Sequence, residues 1–139
     1  MTVNLVTVKQ CFIEKLKATT TVTTLIGNTV EIRDYEWHGT RFTYPNVRVQ
    51  IESFKRSTPG IECRLFNVIA HIVVFADDAT SLVADNIAAA IWEALDTKTV
   101  GNTQVRLIGI KAVHMGAIRQ VEGGVWQSEV QIESQASPA

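Results

Sequence analysis

Between Leu5 and Leu16 the apolar residues recur at spacings of three and four: Leu5, Val8, Phe12 and Leu16. Lys9, Glu14, Lys15 and Lys17 fall mostly elsewhere on the wheel, so this stretch reads as an amphipathic helix capped by Thr2 or Asn4. In "ATTTVTTLIGN" the β-branched threonines disfavour a long helix. One or two turns around Val22–Ile26 are expected there, closed by Gly27 in the left-handed conformation. "TVEIRDYEW" (29–37) reads as a short strand. From Pro45 the period changes to two: Val47, Val49 and Ile51 alternate with Arg48, Gln50 and Glu52, which predicts a strand with one buried and one wet face. Pro45 lacks a backbone donor, which suits the first position of a strand. "STPG" places Pro59 and Gly60 at the centre of a type II turn, so a hairpin follows. Its tip gathers Lys55, Arg56, Glu62 and Arg64.

A return strand from Ile61 to Asp77 would span 17 residues. At ~3.3 Å each that is ~56 Å, against a domain diameter of roughly 37 Å for this length. The strand must bend, bulge or project, and the charged tip favours projection. From Leu65 to Ala76 both faces are apolar, as expected of a central strand covered on two sides. His71 and Asn67 share a face with Ile69 and Val73, and His71 reads as a hydrogen-bonded core or interface histidine. A second helix is predicted over 79–95, with Val83, Ile87, Ala90, Ile91, Ala94 and Leu95 on its apolar side and Trp92 extending it. That stripe is wider than one sheet contact needs, so the Trp92 edge is a candidate for meeting a neighbouring subunit. "DTKTVGN" reads as a loop and "TQVRLIGIKAVHMGAIRQV" as a long strand, or one broken near Gly109 or Gly116. "EGG" (122–124) reads as a turn, and "VWQSEVQIES" as a last strand burying Trp126, Val130 and Ile132. "QASPA" reads as a frayed tail.

This order predicts an α+β fold: an antiparallel or mixed sheet of about 4–5 strands, two helices packed on one face and a projecting β-hairpin. One domain spans 1–134, with a flexible tail over 135–139.

Composition narrows the function. At 139 residues and 46% hydrophobic content, the chain can bury an ordinary core. Charged residues are only 19%, below the usual ~25%, as suits a surface partly covered by a partner or by another copy. A net charge of −1 gives no electrostatic reason to bind nucleic acid, and the aromatics do not interleave with a basic patch. Cys11 and Cys63 form neither a disulfide framework nor a zinc pattern and read as reduced, small apolar residues. "MTVNLVTVKQ" lacks the layout of a signal peptide, and "IAAAIW" (87–92) is far short of the ~20 apolar residues a membrane span needs. No membrane partner is expected, and a reducing cytosol is the default site of synthesis.

The one stretch that invites a catalytic reading is "HIVVFADDATSLVADN". An apolar strand ending in Asp77-Asp78 resembles a metal-holding strand of a nucleotide hydrolase. That reading requires a phosphate loop, and neither G-x-x-x-x-G-K-[ST] nor G-x-G-x-x-G occurs. Asp78 is instead expected to cap the second helix. His38, His71 and His114 share no motif, and no cofactor or metal is expected. The competing class is a small-molecule-binding or hydrolytic domain using Asp77 and Asp78 with His71.

A family resemblance adds to this. The amphipathic first helix, "VTTLIGNTVEI", "YPNVRVQI", "FNVIAHIVVFADDATSLVADNIAAAIWEAL" and a final "GGVWQSEVQIE" stand in the order seen in tail-completion or tail-terminator proteins of tailed bacteriophages. The chain resembles that family over nearly its whole length, through the order and spacing of individually soft motifs. The segment "HGTRF" and the charged hairpin tip are not diagnostic, and head-completion or neck connector proteins share the same build. The resemblance implies a structural, non-enzymatic virion protein, made in the host cytoplasm and placed in the tail or neck. It implies a homo-oligomeric ring, usually of six copies, that caps the tail tube protein, ends polymerisation and offers a surface to the head-tail connector protein. The genome would pass through the ring without sequence-specific contact. The sheet edge, the Trp92 side of the second helix and Lys55, Arg56, Glu62 and Arg64 are then the expected contact residues with a neighbour or the tube.

Overall fold

In the computed structural model, the structure describes residues 3–56, 65–78, 80–121 and 124–139. Helix α1 runs from Leu5 to Ala18. Its cap is Asn4: the Asn4 side chain accepts from the Thr7 amide at 2.9 Å, and the Asn4 amide donates to Thr7 Oγ1 at 3.0 Å. Lys15 and Lys17 lie in its last turn, where cations suit the helix dipole. The buried face is Val8, Cys11, Phe12, Ile13 and Leu16; Leu5 is left exposed at the open end. Burial raises the Cys11 thiol to about 11, with a smaller push from Glu14, so it is a poor nucleophile and packs as a small apolar group. Cys63 lies outside the described residues.

Helix α2, Thr20–Ile26, stops at Gly27, whose φ of 81° is the left-handed closure expected from the sequence. A 3₁₀ turn, Thr29–Glu31, leads into strand β1, Ile32–Asp34. Strand β2 spans Asn46–Arg56 and β3 spans Phe66–Ala76. Helix α3 is Leu82–Leu95, and strands β4 (Val100–Gly101), β5 (Val105–Val121) and β6 (Val125–Pro138) complete the chain.

The strands form one mixed sheet in the order β1-β2-β3-β6-β5-β4, with β1 parallel to β2 and every other pair antiparallel. Val47 and Val49 on β2, Val68, Ala70, Ile72, Val74 and Ala76 on β3, and Val130, Ile132 and Ala136 on β6 share one core with α1 and α3. Each fully buried Leu, Ile or Val side chain there stabilises the fold by about 1.5–3 kcal/mol. Helix α1 touches β1 and β2 at one edge of the sheet and β4 and β5 at the other, so the sheet curls around it. Polar ties mark both ends of this bridge. Lys9 pairs with Asp34 of β1 at 3.0 Å, and Asn102, just after β4, donates to Glu14 at 3.2 Å. Helix α3 packs on β3, β5 and β6, and Ser128 Oγ donates to Asp85 in its first turn at 3.0 Å.

Several expectations are corrected. The sheet has six strands rather than about 4–5, and the one or two turns expected around Val22–Ile26 make a third helix beside the two expected to pack on the sheet. The loop "DTKTVGN" contains β4, because Asn102 Oδ1 accepts from the Gln104 and Val105 amides at 2.9 Å each and folds the chain back onto β5. The expected tail continues β6: β5 offers a ladder out to Val105↔Pro138, and Ala136 is fully buried on the core face. Strand β3 is central; the main core covers one of its faces, and on the other Val73 is buried while Ile69, His71 and Phe75 are half-buried. Helix α3 begins at Leu82 with Ser81 in the cap position, so the structure does not place Asp78 as its cap. The Thr80 hydroxyl accepts from the Leu82 amide at 3.3 Å, and the acid of the first turn is Asp85. The "STPG" turn lies outside the described residues, as does the expected projecting tip. Long strand β5 runs unbroken through Gly109, which takes a φ of 61° where the register against β6 shifts.

Candidate functional site

The segment Tyr35–Tyr44 joins the parallel strands β1 and β2 and carries Tyr35, Trp37, Phe42 and Tyr44, four of the chain's ten aromatic residues. A buried ion pair fastens it to the sheet. Glu31 is 2% exposed and Arg48 7%. Arg48 Nη1 donates to the Glu31 carbonyl at 2.6 Å, and Nη2 meets the Glu31 carboxylate at 3.3 Å. The other carboxylate oxygen accepts from the Thr43 amide at 2.9 Å, so one side chain holds both ends of the crossover. Burial alone would raise the Glu31 pKa. The hydrogen bonds from Thr43 and Arg48 and the charges of Arg33 and Arg48 outweigh it and hold the carboxyl below its ordinary range. Arg48 is on the face of β2 that alternation marks as wet; Trp37 covers it, with the guanidinium 5.4 Å from the ring centroid. Arg33 stacks on Trp37 at 3.6 Å.

The result is a groove of about 350 Å³ walled by Tyr35, Trp37, Phe42, Tyr44, Phe75 and Val125. Phe42 and Tyr44 meet edge to face at 5.5 Å. Tyr35 is 43% exposed and Phe42 45%, so their rings face solvent. No carboxylate, thiol or imidazole lines it among the described residues. Its chemistry is that of contact: aromatic walls able to cover an apolar group, with Arg33 beside them. Gly39 fits under Trp37 because it has no side chain; a Cβ there would fall 1.8 Å from the indole. Gly39→Ala is therefore expected to push Trp37 off Arg33 and open the groove. The check is a change in tryptophan fluorescence with a loss of stability of about 1 kcal/mol.

A second groove, of about 520 Å³, lies on α3 and β5 between Ala89, Trp92, Glu93, Val113 and Met115. Val113 is 43% and Met115 46% exposed. On the sheet face away from the helices, His71 Nε2 lies 2.6 Å from Glu52 and Nδ1 contacts Glu129.

The candidate contact residues fall on separate surfaces. Lys55 and Arg56 are exposed at the end of β2, opposite Asn67 and Phe66 of β3. Glu62 and Arg64 lie outside the described residues. Trp92 is half-buried in the α3–β5 groove and is not part of the β2 end. Asp77 and Asp78 are exposed beyond β3, and His71 stands six residues back along that strand, about 20 Å away at ~3.3 Å per residue. The structure therefore does not assemble these three into one site. Among the described residues no three His, Cys, Asp or Glu side chains are placed to hold a metal, and no helix is long and apolar enough to cross a membrane. Sequence reasoning missed the aromatic groove. Its available signal was the density of rings in "YEWHGTRFTY", a stretch between two short β-like segments that has no periodicity of its own.

No protein-family model and no curated protein matches the sequence. The fold itself, a curled mixed sheet around helices, has a counterpart among solved structures. A chain of the virion of a native gene transfer agent particle superposes with a TM-score of 0.80 at 18% identity, over 94% of this chain and 95% of that one. At that identity the likeness is one of fold, and it runs through nearly the whole of both chains.

Proposed function

We propose that this chain is a structural protein of a phage-like virion, acting as the tail terminator or tail-completion protein. Copies join in a ring, six in number, that caps the tail tube, ends its polymerisation and presents a docking surface to the head connector. The observation that carries the reading is the full-length fold shared with a virion chain. The order of landmarks along the sequence narrows it to the tail terminator. The surfaces agree with it. A closed ring needs two different patches, one meeting the other on the next copy. The aromatic groove at β1–β2 and the Trp92–Met115 groove at α3–β5 are two such patches, on different elements. Its work is contact and shape rather than covalent chemistry, and its place is the virion after assembly in the host cytoplasm.

The test uses Lys55 and Arg56, at the exposed end of β2. A chain with Lys55→Glu and Arg56→Glu is expected to keep its melting temperature within about 2 °C, since exposed charges contribute little to folding. It is expected to lose capping, so that tube protein polymerised in its presence gives the broad length distribution of tubes grown alone. Capping by this variant equal to that of the wild type would remove the β2 end from the interface. Retention on a head-side connector but never on tubes would move the chain to the head-completion or neck position.

A further inference from the structure

The crossover between β1 and β2 raises apolar rings that its own chain leaves uncovered. Phe42 is 45% and Tyr35 43% exposed, although one side of Phe42 meets Tyr44 edge to face. Toward the other end of the strand order, β4 covers β5 at Arg106 and Leu107. The Thr97 amide then donates to the Ile110 carbonyl at 2.9 Å, and Asp96 Oδ1 accepts from the Ala112 amide at 3.0 Å. Just past these ties, Val113 and Met115 are 43% and 46% exposed beside Ala89 and the half-buried Trp92 of α3. The two surfaces share no wall residue, so one copy can offer both at the same time.

Exposed apolar side chains standing singly call for no partner. Here the charges beside them match. Arg41 directly precedes Phe42, and Glu93 directly follows Trp92. Both are exposed, and neither makes an ion pair within its own chain among the described residues. A second pair has the opposite sense: Glu36 follows Tyr35, and Lys111 lies two residues before Val113, each exposed. Both halves of the match lie on one chain, so a second copy supplies everything the surface asks for. Because the halves differ, the contact runs head to tail, the arrangement from which rings are built.

We propose that Phe42 and Tyr35 of one copy enter the α3–β5 groove of the next, between Trp92 and Met115, and that Arg41 meets Glu93 at the rim. An aromatic ring packs favourably edge to face on an indole and against a thioether, and this groove offers both. The rings supply most of the affinity, and the rim charges fix which face meets which. The contact rests on the reading of the chain as a ring-former and names the residues that join its copies.

The experiment is sedimentation equilibrium of the purified chain at concentrations up to about 1 mM, high enough to reveal weak association. The wild type is expected to form a closed oligomer larger than a dimer. Arg41→Glu and Glu93→Arg are each expected to weaken association at least about tenfold, because each sets like charges face to face at every contact. An equimolar mixture of the two is expected to recover it, since alternating copies bring opposite charges together at every contact. Phe42→Ala is expected to weaken it roughly thirtyfold while the circular dichroism spectrum stays that of the wild type. Four results would overturn the contact: a wild type that stays a single copy throughout, a twofold dimer, charge variants that associate like the wild type, or a mixture no better than its components. A crossover that binds tube protein while the chain remains a single copy would assign it another partner and overturn it too. Tube length is measured separately with the same chains. Association that follows the charge pattern while tubes keep growing would sink the terminator reading and leave the contact standing; capping that survives Arg41→Glu unchanged would do the reverse.

Discussion

Replacing Glu31 by Gln is expected to cost about 3–5 kcal/mol, the loss typical of a buried ion pair stripped of one partner. The substitution keeps the shape of the side chain but leaves the Arg48 guanidinium, 7% exposed, without its counter-charge. It also weakens the acceptor for the Thr43 amide, and so the anchor of the aromatic crossover. Arg48→Ala is expected to cost a similar amount from the other side. Because both remove the same contact, the double variant is expected to lose clearly less than the two single losses added together. Chemical denaturation of the four chains checks this. The pair also sets an acid limit. The native Glu31 carboxyl lies below the ordinary glutamate value of 4.5. Above that value neither state holds a proton there and the contribution is complete. As pH falls below it, the unfolded chain takes up a proton that the native chain still excludes, so stability drops until the native pKa is passed. Glu31→Gln is expected to flatten this part of the acid limb in a pH series of melting temperatures.

Phe12→Ala is expected to cost about 3–5 kcal/mol through the cavity it leaves. For a chain of 139 residues this is a melting temperature lower by roughly 10 °C or more. Phe12 is fully buried on α1, the helix that bridges the two edges of the curled sheet. Helix α1 contacts strands at both ends of the strand order, so the gap is expected to close only partly. A loss below about 1 kcal/mol, the cost of a surface change, would show that α1 does not hold the edges together. Total stability of a domain is only about 5–15 kcal/mol, so either variant consumes a large share of it.

What was legible in the sequence follows from periodicity. The 3.6-residue stripe of α1 and α3 and the alternation of Val47, Val49 and Ile51 each point at one buried side; Val8, Phe12, Leu16, Val47, Val49, Ile87, Ile91 and Leu95 lie in the core cluster, Ile51, Val83 and Ala90 pack against it, and Leu5 is exposed. Gly27 announced the end of α2 because only glycine takes that backbone without strain. Failures came where a residue's fate depends on distant partners. Arg48 reads as wet from alternation, yet Glu31 and Trp37, far from it in the chain, bury it. Pro138 and Ala136 read as tail, since nothing in "QASPA" reveals that β5 offers a ladder to pair with. Asp78 reads as a cap because an acid precedes an apolar run, but the helix starts later, at Leu82. Of the candidate contact surface, Trp92, Lys55 and Arg56 were readable as exposed or half-exposed positions. The groove was not, because its walls come from the crossover, from β3 and from the start of β6.

The most direct measurement is electron microscopy of this chain mixed with growing tail tubes. Acting as a terminator, it would sit as a closed ring of about six copies at one end of each tube, and tube length would stop increasing once it is added, as heterologous ring closure requires. Tubes that keep lengthening with bare ends, while the chain remains a single copy in solution, would contradict the assignment.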